Sequence, residues 1–208
     1  MTRTGHVPGR FLGFSMIEVL VSLLIIVFGL LGLAGLQVRI QKSELESYQR
    51  AQAVLLVQDM VDRIHLYRVT ATCFQFTTNT TTGTPFLGVG SSGAPTCAAG
   101  TSNDNLQTTT TMNEWNSLLQ GAAEAKGGAA AGAMAGARGC VSYDPTTALL
   151  DATGVAIPDT GLYTVVISWQ GTIDTFAPTV NCGNDNTLYG AETRRRAVST
   201  TFRLGHLK

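Results

Sequence analysis

Glu18 is the only acid between Gly9 and Gly35, a stretch dominated by Leu, Ile, Val, Phe, Gly and Ala. A carboxylate in hydrocarbon costs at least about 2.5 kcal/mol, so an acid kept there asks for a cationic partner. At headgroup depth near a helix end the same acid would cost little. The other groups able to do chemistry are scattered. His6, His65 and His206 are far apart in the chain, and their pattern indicates no triad or metal cluster. Asp144, Asp151, Asp159, Asp174 and Asp185 fall near turn residues, where a short carboxylate caps backbone amides. The run NCGNDN, Asn181 to Asn186, offers oxygen ligands to a hard cation but lacks the EF-hand spacing. Arg194, Arg195 and Arg196 form a small basic cluster that a strand would split between its two faces, a pattern suited to blunting a sheet edge. No catalytic residue, cofactor or metal is expected.

The cysteines Cys73, Cys97, Cys140 and Cys182 are even in number and none forms a CxxC pair, which suits disulfides in an oxidising compartment. Four cysteines permit three pairings. The local one, Cys73 with Cys97 and Cys140 with Cys182, would staple the Thr-rich excursion and tie the first strand to the turn before the last. Composition supports the same frame. The 208 residues are 44% hydrophobic and 13% charged with zero net charge, which suggests one membrane segment and one modest domain. The broad basic footprint of nucleic-acid binding is missing.

The element that carries Glu18 reads as a helix. From Val19 to Val38 no residue is charged, and about twenty apolar residues suffice to span hydrocarbon. A secretory signal peptide would be shorter and end in a small-residue cleavage site, which is not seen here. Residues 1–13 hold Arg3 and Arg10 and no acid, favouring a cytoplasmic N-terminus, and the cysteines place the rest of the chain outside.

The junction GFSMIEVLVSLLIIVFGLLGLAGLQ closely resembles the class III signal of type IV pilins and type II secretion pseudopilins. A short basic leader ends in Gly13, an aromatic Phe14 follows, and Glu18 is the fifth residue after the bond. The resemblance implies cleavage between Gly13 and Phe14 by a membrane aspartyl peptidase, and methylation of the new Phe14 amine by the same enzyme. It implies a role for Glu18 in assembly: the Phe14 amine of an incoming subunit meets the Glu18 carboxylate of its neighbour. Gly29, Gly32 and Gly35 share a helix face, where small residues allow close packing or local melting. Many major pilins carry a proline at the position of Gly35, and this chain does not.

Beyond the span, Leu45, Tyr48, Leu55, Leu56, Met60, Ile64 and Tyr67 recur at helical spacing and are expected to face a core. One helix from Phe14 to about Arg68 would be roughly 80 Å long. The expected organisation is a leader over 1–13, a transmembrane and assembly helix over 14–38, and its amphipathic continuation over 39–69. A loop-rich region over 70–138 follows, with a short helix over 113–125 capped by Asn113, and then an antiparallel sheet region over 139–208. Gly139 to Asp144, Gly161 to Gly171 and Arg194 to Leu204 read as its strands. Tyr163, Val165, Ile167 and Trp169 form the better core face of the middle strand. The order predicts an α+β fold of the type IV pilin kind, the long helix packing by its second half on the sheet.

The strand patterns GC-x-x-YD and YTV-x-I-x-WQG also resemble, more loosely, the C-terminal part of PilV-type minor pilins. The resemblance implies a minor pilin that primes or enters a type IV pilus. Its partners would be prepilin peptidase, other minor and major pilins, the inner-membrane assembly platform and lipid, and nucleic acid is not expected. The other readings are a minor pseudopilin of a type II secretion system and a membrane-anchored adhesin or DNA-binding module.

Overall fold

A computed structural model describes residues 13–122, 125–126, 129–130, 134–184 and 188–205. The chain divides after Ser43 into two units. Helix α1 spans Met16–Leu66, and its part in the first unit runs through Gly29, Gly32 and Gly35 without a break. Its apolar side chains up to Ile40 are exposed, and it is long and apolar enough to cross a membrane.

The second unit is α+β. Its sheet joins β1 (Leu87–Gly88), β4 (Arg138–Asp144), β5 (Leu162–Gln170) and β6 (Arg195–Arg203), all antiparallel, in the order β1-β4-β5-β6. Two short strands, β2 (Ala125–Lys126) and β3 (Ala129–Ala130), pair with each other inside the region expected to be rich in loops. The three main strands lie where β-branched and aromatic residues place them. β1 does not announce itself: two residues inside the loop-rich region carry no periodicity.

The second half of α1 packs on the core through part of the expected stripe. Met60 and Ile64 are buried and Leu56 and Tyr67 pack against the same core, whereas Leu45, Tyr48 and Leu55 are exposed and Gln49, Ala53, Val57 and Val61 are buried as well.

Helix α2 covers Ser102–Leu119 instead of 113–125. Its N-cap is Thr101, whose hydroxyl accepts from the Asp104 amide while the Asp104 carboxylate accepts from the Thr101 amide. This reciprocal pair satisfies two of the orphan donors of the first turn. Asn113 therefore lies inside the helix. The threonine run disfavours helix in isolation, yet Thr108 and Thr111 are buried beside Met112, Trp115 and Leu119, and packing prevails. The Trp115 indole lies against Gly139, where an added Cβ would stand 2.1 Å from its ring, and its N–H donates to the Leu56 carbonyl at 3.0 Å.

Tyr163, Val165, Ile167 and Trp169 are core residues of β5, and the opposite face is covered as well. There Val166 meets Cys140 and Cys182, and the Ser168 hydroxyl donates to the Cys182 carbonyl at 2.8 Å. The segment around Cys182 thus forms a second, smaller core.

Candidate functional site

The Gly13–Phe14 bond lies in non-helical backbone immediately before α1. Nothing approaches within 4 Å of a Cβ placed on Gly13, and Phe14 is 85% exposed. A peptide bond held this way is open to a protease cleft. The Ser15 carbonyl accepts from the Glu18 amide at 3.0 Å and opens the helix, so Glu18 stands in the first turn of α1. A carboxylate there complements the positive end of the helix dipole. The Glu18 side chain meets no donor or cation among the described residues, and it is exposed. Gly13, Phe14 and Glu18 are thereby gathered at one helix start.

Glu46 shows the opposite condition. One oxygen of its carboxylate accepts from the Thr172 amide at 3.1 Å, the Thr172 hydroxyl at 3.0 Å, the Ile173 amide at 3.3 Å and the Arg196 guanidinium at 3.3 Å. Burial opposes the charge, but the bonds from Thr172, the Arg196 cation and the Ile173 amide together hold the carboxyl below its ordinary range. Sequence gave no warning of this clamp, because its partners lie more than a hundred residues away.

The four cysteines form Cys73–Cys97 and Cys140–Cys182, with Cα separations of 5.3 Å and 5.6 Å. This is the local pairing, and both bridges lie in the second unit. The arginine cluster acts inside the fold. Arg195 is 1% exposed, is paired with Glu192 and donates to the Val180 carbonyl, while Arg196 reaches Glu46 and Arg194 reaches Asp174. The three cations pin the 173–181 loop and the helix, and they stand at the start of β6, an edge strand of the sheet. Two of the aspartates are turn caps: Asp144 accepts from the Thr146 amide, and Asp151 from the Thr153 and Val155 amides. Asp159 instead accepts from the Gln75 side chain, and Asp174 from the Thr193 hydroxyl and the Arg194 guanidinium. Asp185 and Asn186 of the NCGNDN run, and His6 and His206, lie outside the described residues. His65 rests on the Phe202 ring, with centroids 5.1 Å apart. Among the described residues no group of three or more His, Cys, Asp or Glu could hold a metal.

A scan of family models, a search of curated proteins and a search of solved structures each returned no match to this chain.

Proposed function

We propose that the chain is a type IV pilin-like subunit, specifically a minor pilin. In this reading prepilin peptidase removes residues 1–13, Phe14 becomes the methylated N-terminus, and the 14–38 segment anchors the subunit in the inner membrane. The second unit then faces the periplasm, and the subunit later enters or primes the filament. The observation that carries the reading is the exposed Gly13–Phe14 bond followed by Glu18, which has no partner among the described residues, at the head of the uncharged 19–38 stretch of the helix. Such an acid gains most from a cation that arrives with another chain.

Two further features support the proposal. The exposed Leu45, Val54 and Leu55 on α1 leave apolar surface on one subunit, as suits a helix that packs among others. The paired disulfides fit an oxidising space. Catalysis is not part of the role. The test is mass spectrometry of the membrane-extracted protein. A mature chain starting at N-methylated Phe14 is expected, with the leader retained in Gly13→Val; a wild-type protein that keeps Met1, or begins elsewhere, refutes the reading.

A further inference from the structure

The two edges of the four-stranded sheet are finished differently. At one edge β1 is only two residues long, and α2 closes it: the Gly88 amide donates to Asn116 Oδ1 at 2.7 Å, and the Gly88 carbonyl accepts from Gln120 Nε2 at 3.2 Å. At the other edge β6 runs for nine residues in one-to-one register with β5, without bulge or proline, and its arginines stand at its two ends, which leaves Ala197 to Phe202 uncharged. Bulges, prolines and charges along a strand are the usual devices that keep an edge from pairing.

The outward groups on β6 follow from the alternation of an antiparallel ladder. The Gln170 amide donates to the Ala135 carbonyl, on the side of β4, and the Gly171 amide donates to the Arg194 carbonyl, on the side of β6. Tyr163, Val165, Ile167 and Trp169 therefore turn their backbone groups to β6, where they face Phe202, Thr200, Val198 and Arg196. Ala197, Ser199 and Thr201 turn theirs away from the sheet. Among the described residues nothing meets those N–H and C=O groups. The side chains of Ser199 and Thr201 are exposed, small and polar, so a neighbouring strand has room.

We propose that β6 is a docking edge that takes one extended segment of a partner polypeptide as a fifth strand. A row of alternating donors and acceptors matches an extended backbone and little else. Charge selects the partner. β6 carries three arginines and no acid. Arg195 and Arg196 are neutralised by Glu192 and Glu46, but among the described residues the Arg203 guanidinium meets no carboxylate, only the carbonyls of Thr147 and Thr160. A second copy of this chain would bring more arginine to the edge, and like charges across a strand pair repel. The fitting occupant is a foreign strand with a carboxylate opposite Arg203. This inference stands apart from the filament reading, since it uses only the second unit.

The test uses the full chain in detergent with synthetic peptides that alternate Thr and Val. One carries Glu at each end, one carries Lys at each end, and a third has the sequence of β6. Amide hydrogen exchange is read residue by residue. The Glu-ended peptide is expected to slow exchange at Ala197, Ser199 and Thr201 by about tenfold, with the Lys-ended peptide binding roughly three- to tenfold more weakly. Ser199→Pro, at an outward amide, should abolish the protection while Val198 and Thr200 stay slow. If that variant loses the sheet, Thr201→Glu at an exposed position should weaken binding of the Glu-ended peptide severalfold and leave that of the Lys-ended one no weaker. The proposal is overturned if saturating Glu-ended peptide leaves the outward amides unchanged, or if the Lys-ended peptide protects them equally. Equal protection by the β6 peptide would assign the edge to a second copy instead.

Discussion

Two glutamates on one helix are held in opposite states, and each gives a prediction. Glu18 has no partner among the described residues, so its contribution to the isolated chain is small. In the proposed assembly the contribution comes from a second subunit. Glu18→Ala should leave Gly13–Phe14 cleavage and the fold of the second unit intact while reducing the fraction incorporated into filaments. Unchanged incorporation, measured by immunoblot of sheared filaments, would remove the charge-pairing role. Glu46 is saturated with donors, and its carboxyl is held below the ordinary range in the folded state. A carboxyl shifted in that direction stabilises the fold above its unfolded pKa, and the gain is lost as pH falls through the depressed folded value. Glu46→Gln removes the ionic share and should cost about 1–2 kcal/mol near neutral pH. That gap should shrink at acid pH, below the depressed folded value, as the wild-type acid takes up its proton. Denaturant melts at both pH values measure it; a constant gap would show that the charge does not hold the 172–173 loop.

At the scale of elements, the close contact of α2 with β4 is the point of least tolerance. Gly139 lies under the Trp115 ring and Leu119, and any Cβ would collide with both. Gly139→Ala should cost about 1–3 kcal/mol through overpacking, read as a lower thermal midpoint of the second unit. This element also marks where sequence reasoning stopped. β4, β5 and β6 were legible because alternation and β-branched residues coincide with their real edges. α2 was only half legible: its N-terminal part is Thr108 to Thr111 preceded by polar residues, and threonine propensity points away from helix. The capping pair Thr101 and Asp104 was the available signal for its true start. The stripe on α1 was legible in its C-terminal part, where Leu56, Met60, Ile64 and Tyr67 meet the core, and not before it, where Leu45, Tyr48 and Leu55 attract attention by size while the buried residues are Gln49 and Ala53.

For the molecule as a whole, the two bridges divide the work of holding a domain whose loops are long. Cys73–Cys97 closes 24 residues and Cys140–Cys182 closes 42. In the chain-entropy account the longer bridge stabilises by about 4 kcal/mol, so replacing both Cys140 and Cys182 by serine should remove a large share of the domain's stability. It should also loosen the small core of Val166, Phe86 and Val180 before the main one. Proteolysis under non-reducing conditions, with cleavage first near residues 178–184, would confirm that order; simultaneous loss of both cores would contradict it. The local pairing could be favoured from spacing, whereas the segment around Cys182 covering a second sheet face could not, because nothing polar or apolar in it repeats. The arginines at 194–196 follow the same rule: their number was visible, and their inward use depended on acids and carbonyls that only folding brings near.

The indole of Trp115 joins three parts of this unit at once, through its bond to the Leu56 carbonyl and its seat on Gly139. It is therefore a built-in optical gauge: its emission colour should redden when helix, helix and sheet part company, with no dye attached. Subtracting the second chromophore, Trp169, with a Phe replacement would leave a one-probe readout of whether the headpiece is intact.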